Sequence, residues 1–256
     1  MNRKLGEVFA GLCVLAMSAS AFAQGPEVKD KPPMYSYVSF WAYPRAQWGN
    51  VEKEHAADRK ILDKDFSNGN VVGYGFDTSL VHQADGPTHD DWWSAMSMAG
   101  VLNVLDEFYK SGSTATPLLA SATKHWDGIF MSRFYNWHPG SWKDAYTHGA
   151  SFKLKPEASE DAVEKLSKNL FVPLLEKLLA DGTIVEYEID TEAVHTEAPG
   201  TFWIFFLSPN ADGLDKYNAA VLEAMKTNPL AGPTFDNMVD FTAHRDYLAR
   251  TSATYK

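Results

Sequence analysis

The chain has 256 residues, 45% of them hydrophobic and 13% aromatic, and carries a formal charge of −10. No Lys/Arg-rich stripe breaks that acidity, which argues against binding to nucleic acids or anionic membranes, since both need basic patches. Cys13 is the one cysteine, so disulfides and cysteine-based metal sites are excluded.

Residues 1–23 read as a secretory signal. Arg3 and Lys4 form the positive start, Phe9 to Met17 is a short apolar core, and Ala21-Phe22-Ala23 precedes the expected cut near Ala23/Gln24. The apolar run is too short to span a bilayer. A periplasmic or extracellular protein without membrane insertion is expected. Residues 24–34, with three prolines, read as a flexible leader.

Tyr35 to Ala42 is a β-type run, followed by a helix from about Gln47 to Ser67 that Asn68-Gly69 stops. Val71 to Leu80 and Asp91 to Met98 read as strands around a Gly86-Pro87 turn. A helix from Gly100 to Tyr109 and a strand from Gly128 to Trp137 complete a first unit at 35–140. The second unit, 146–256, repeats the order. Ala150 to Leu154 is a strand, then comes a helix with Val163, Leu166, Leu170, Leu174 and Leu178 on one face. Pro173 is expected to kink it. Strands follow at Thr183 to Asp190 and Thr201 to Leu207, the latter apolar on both faces and so buried on both sides. A helix from about Leu214 to Met225 precedes a last strand or short helix between Phe235 and Lys256.

The halves also match in letters. At a constant offset of 113 positions, Gly69, Val72, Tyr74, Asp77, Thr78, Val81, His82, Thr88 and Gly100 meet Gly182, Val185, Tyr187, Asp190, Thr191, Val194, His195, Thr201 and Gly213. Such a repeat means two copies of one supersecondary unit. The β-α-β-β-α-β order, twice, resembles tandem ferredoxin-like units of the dimeric α+β barrel superfamily. That group includes stress-responsive A/B-barrel proteins, small monooxygenases, chlorite dismutases and dye-decolorising peroxidases. The resemblance implies an α+β fold in which two units pack sheet against sheet within one chain. It implies three classes of function: small-molecule binding, oxidoreduction with or without haem, and protein interaction.

Candidate chemistry is scattered. His82 and His195 are equivalent and follow strands, with Asp77 and Asp190 alongside; they suit a general base or a ligand, or a structural hydrogen bond. A turn at Gly86-Pro87 would fold His82 toward His89 and Asp90, a donor set for a divalent metal. Arg133, Tyr135 and Trp137 alternate on one strand face and His138 points the other way. Arginine with histidine is what haem peroxidase-type chemistry uses, although the opposite facing of Arg133 and His138 counts against that pair. Haem and a divalent metal are therefore the cofactors to test, and a cofactor-free site leads. Seven tryptophans lie between Trp41 and Trp142. They suit core packing or an aromatic-lined cavity for a small apolar or aromatic ligand.

Overall fold

The computed structural model describes residues 30–256. The expected signal and most of the leader lie outside them. The first half contains β1 (Met34–Ala42), α1 (Trp48–Asn68), β2 (Gly73–Ser79), β3 (His89–Ala95), α2 (Met98–Ser111), the single turn α3 (Pro117–Ala120) and β4 (Lys124–Trp137). The second contains β5 (Gly140–Leu154), α4 (Ala162–Leu166), α5 (Val172–Ala180), β6 (Glu186–Glu192), β7 (Thr201–Ser208), α6 (Ala211–Thr227), α7 (Ala231–Met238) and β8 (Val239–Tyr255).

The strands form one closed barrel in the order β1-β3-β2-β8-β5-β7-β6-β4. Every neighbouring pair is antiparallel. Closure removes the unpaired edges that a sheet would otherwise expose. Two seams join the halves, β2 to β8 and β4 to β6.

Because side chains alternate, each strand serves two compartments. On β7, Phe202, Ile204 and Phe206 pack in the helix-side core. Trp203, Phe205 and Leu207 face the lumen. The strand is thus enclosed on both sides, as its apolar run requires. Over the second half, Leu166, Leu175, Leu178 and Leu179 join a continuous apolar core. Over the first half, Leu62, Val71, Tyr74, Val101 and Phe108 do the same. Each such side chain contributes roughly 1.5–3 kcal/mol by leaving water.

Equivalent residues tie helix to sheet in each half. The Tyr74 hydroxyl donates to Asp63 of α1, and the Tyr187 hydroxyl donates to Glu176 of α5 at 2.6 Å. Ser97 caps α2 by accepting from Gly100 N at 3.1 Å; Asn210 caps α6 by accepting from Gly213 N at the same distance.

Several boundaries differ from the sequence pattern. β4 starts at Lys124 and β5 at Gly140, both earlier than the sequence pattern suggests, and the two long strands do not pair: the chain leaves β4 at Pro139 and enters the barrel again between β8 and β7. The tail is both of its alternatives, helix α7 and then the 17-residue β8. Pro173 stands in the first turn of α5, after a π-helical segment at Ser167–Phe171. Its missing N–H therefore falls where α5 restarts.

Gly213 shows how tightly α6 seats. A Cβ there would lie 2.6 Å from the Thr183 carbonyl oxygen, a backbone atom that cannot rotate away. Alanine would gain about 1 kcal/mol of helix propensity, yet overpacking costs about 1–3 kcal/mol. Gly213→Ala is expected to lower the melting temperature by several degrees. An unchanged or raised value in a thermal melt would show that the contact yields.

Candidate functional site

Three pockets remain among the described residues: an open groove of about 760 Å³ along α1 and β8, and two cavities within the packed elements. The larger of these two, about 320 Å³, is the barrel lumen. Its walls are built by inward-facing residues of all eight strands. Phe40, Trp92, Trp126, Phe130, Trp203 and Phe205 supply aromatic surface. At one end Val81, Gln83, Gly86 and Pro87 of the β2–β3 loop and Glu197 of the β6–β7 loop form a mouth. Trp92, Trp137, Trp142 and Tyr255 cluster with Val185 and Leu207 at the other end.

The lumen also holds five carboxyl groups. Glu186, Glu188 and Asp190 alternate along β6 and so share its inner face. Asp77 of β2 stands beside its register partner Asp90 of β3. The Tyr247 hydroxyl donates to Asp90 Oδ2 at 2.5 Å. Thr147 Oγ1 donates to Asp77 Oδ1 at 3.5 Å. Ser132 donates to Asp190 Oδ1, and Ser36 reaches Glu188 Oε2 at 3.4 Å. Asp190 Oδ2 has no hydrogen-bond partner although the residue is 1% exposed. Arg245 is the one cation among the described lining residues. Its guanidinium turns back to the carbonyls of Thr242 and His244.

Unpaired acids in such a space hold their protons. Burial, together with nearby carboxylates, pushes Asp77, Glu186 and Asp190 well above the usual range. Burial raises Asp90 and Glu188 to about 7, against the hydrogen bonds they accept.

The second cavity, about 180 Å³, lies between the first half's sheet and α1, α2 and α3. Tyr37, Trp41, Phe76, Trp93 and Phe108 line it, with Asp58, Asp91, His125 and Asp127. His125 stacks on Trp41 at 3.6 Å and contacts Asp127 at 3.3 Å. Burial alone would lower its pKa, and Asp127 more than offsets that. At the α1 edge, His55 Nε2 lies 2.9 Å from Asp91 Oδ1. Burial, with Asp91 and Glu54 nearby, pushes Asp58 up to about 7. The corresponding space in the second half is packed with apolar side chains.

Of the residues singled out in the sequence, Asp77, Asp90 and Asp190 meet in the lumen. The histidines do not join them. β2 ends at Ser79 and β6 at Glu192, so His82 and His195 sit on exposed loops instead of continuing an inward or outward face. His82 rests 5.2 Å from Trp48. His89 and Asp90 are neighbours on β3 and point to opposite sides. Asp90 enters the lumen while His89 lies 5.4 Å from Trp48, its pKa lowered to about 4 by burial and His55. The metal set His82, His89 and Asp90 is therefore not brought together. Arg133 sits at a bulge between Ser132 and Phe134. That irregularity takes it off the face of Tyr135 and Trp137 and into solvent, 4.0 Å from Asp30. His138 is exposed and donates through Nε2 to the Leu179 carbonyl at 2.9 Å.

Sequence reasoning missed Glu186, Glu188, Asp58 and Asp127. The Glu-x-Glu-x-Asp alternation at 186–190 was the available signal. The others depend on which helix covers which strand.

The raised lumen carboxyls fix a pH dependence. For Asp90 and Glu188, between the unfolded value near 4 and the folded value near 7, the native state binds more protons than the unfolded state. Stability is then full below about pH 4 as far as these groups are concerned, and falls as pH rises through 7. Ionising Asp90 in place costs roughly 4 kcal/mol. The melting temperature is expected to drop between pH 5 and pH 8.5, and Asp90→Asn to flatten the drop. A wild-type curve that rises over that interval contradicts the assignment.

No protein-family model and no curated protein matches the sequence. Solved structures do share the fold. A candidate monooxygenase from Lactobacillus acidophilus NCFM superposes with a TM-score of 0.61 at 11% identity, covering 88% of this chain and 97% of its own. A candidate monooxygenase from Fusobacterium nucleatum gives 0.61 at 10% identity, covering 88% and 94%. A chlorite dismutase variant from Candidatus Nitrospira defluvii gives 0.50 at 11%, covering 86% and 90%. At these identities the likeness establishes architecture: a mixed α+β protein around an eight-stranded closed barrel.

Proposed function

We propose that this protein is a small-molecule-binding α+β barrel, made of two tandem ferredoxin-like units and exported after loss of residues 1–23. Its ligand lies in the lumen. The observation that carries this reading is the cavity itself, about 320 Å³ with six aromatic walls and converging polar groups. Pockets of this kind, mostly apolar with a few placed polar atoms, are the usual form of small-ligand sites. Tandem units are supported by the strand order, in which each half reads fourth, first, third, second around the barrel. Matched caps and matched tyrosine–carboxylate bonds support it further.

Native mass spectrometry on protein purified without added ligand tests the reading. A mass excess is expected, lost in Trp126→Ala and kept in Tyr37→Phe, which alters only the helix-side cavity. An excess that disappears in Tyr37→Phe and survives in Trp126→Ala would move the ligand out of the lumen.

A second reading, oxidoreduction, is favoured by Asp58. A carboxyl near 7 beside aromatic walls can take a proton from a bound phenolic substrate at neutral pH. The fold shared with candidate monooxygenases is consistent with it. The haem form of this reading does not fit the residues present. Among the described residues no histidine lines the lumen. The helix-side cavity, about 180 Å³, holds a single ring but not a haem, and its His125 is held by Asp127 and Trp41. In the open groove along α1 and β8, the imidazole at the wall, His55, has Nε2 engaged by Asp91. Oxygen uptake with a phenolic substrate is expected to fall at least a hundredfold in Asp58→Asn if this reading holds. Equal rates would dismiss it.

A further inference from the structure

We infer that the lumen selects an organic cation: a ligand with an ammonium group held by Asp190 and Glu188 and an apolar body against Trp126, Trp203 and Phe205. This rests on the lumen being the ligand site and adds the chemical class of what it takes.

The central observation is the orphan oxygen. Asp190 is among the residues that line the cavity, and its Oδ2 is buried and accepts no hydrogen bond. Buried polar atoms are nearly always paired, and an unpaired one costs about 1–3 kcal/mol. While one of the two acids is protonated, Asp190 and Glu188 can share that proton; with both ionised, no donor among the described residues reaches Oδ2. Glu188 beside it is scarcely better served, with hydroxyls at 3.4 and 3.5 Å from Oε2. An ammonium brings three donors to this pair.

The surroundings favour positive charge from every side. Glu186 is on the same strand, Asp77 and Asp90 face it from β2 and β3, and Tyr247 and Tyr255 face it from β8. Arg245 at the rim donates through Nη1 to the carbonyls of Thr242 and His244. Glu197 extends the acidity to the mouth, where it would draw cations inward, whereas the Asp246 carboxylate at the rim is directed to His148 and His244.

The aromatic walls separate an organic cation from a metal ion. Among the described residues no three acidic or imidazole groups converge closely enough to hold a metal. Aromatic faces attract ammonium groups and give their apolar substituents a dry surface. A cavity of about 320 Å³ suits a ligand of one or two rings.

Binding of the cation must compete with the protons that the acids hold when the lumen is empty. Association therefore releases protons and strengthens as pH rises, approaching tenfold per pH unit for each proton released. Isothermal titration calorimetry with 2-phenylethylamine and its neutral counterpart 2-phenylethanol tests this. The amine is expected to bind at least tenfold more tightly at pH 8, with heats that vary with buffer ionisation enthalpy. The gap should narrow toward pH 6. Asp190→Asn should abolish it while leaving the alcohol's affinity unchanged; if that variant does not fold, the proton release of the unaltered protein decides. Equal binding of both probes without proton release overturns the cation and leaves the lumen site standing. Binding of neither probe overturns both.

Discussion

Barrel closure is the constraint from which the rest follows. An open antiparallel sheet can leave one face in water. Once β2 meets β8 and β4 meets β6, that option is gone, and every strand must satisfy two enclosed faces. The outward face has helices to pack against. The inward face has only the opposite wall. Aromatic side chains fill part of that space, but the acids of β2, β3 and β6 are placed where hydration is scarce and counter-charge is missing. They must be protonated, paired or neutralised by something that enters. The electrostatic character of the molecule's centre is thus a result of topology acting on a handful of side chains.

The halves share a frame and differ in filling. Tyr74 with Asp63 and Tyr187 with Glu176 fix each first helix to its sheet by the same bond. Within that frame the second half is packed solid with leucine and phenylalanine. The first half gives up part of its packing for Asp58, Asp91, Asp127 and two histidines around a small cavity. A stable half and a polar half is a common division of labour, since chemistry tends to sit on elements that a rigid neighbour holds in place.

The fold was largely legible because its signals are local. Caps, turns and strand alternation depend on neighbours in the chain, and the repeat confirmed each in duplicate. The site was legible only in part. Asp77 and Asp190 could be paired by the repeat, and Asp90 by its polar surroundings. His82 and His195 were matched equally well and were expected just past their strands, where they lie; with β2 ending at Ser79 and β6 at Glu192 they sit on exposed loops outside the lumen. Arg133 was displaced by a bulge, a shift of one residue that reverses the face of a side chain. Asp58 and Asp91 come together through the seating of α1 on β3, and no short-range pattern encodes that.

β8 carries a consequence of its own. It pairs with β2 across one seam and with β5 along nearly its whole length, and it contributes Tyr247, Thr251 and Tyr255 to the interior. The inner chamber does not exist until this strand is in place. Because its partner β2 lies so far back in the chain, closure waits on a contact of high sequence separation, which makes it a slow event in folding. Parting of that seam also involves α1, whose Arg59 donates to Ser252 and whose Phe66 carbonyl accepts from Lys256. Amide exchange along β2 and β8 would then report how often the chamber opens, and that frequency bounds the residence time of anything held inside.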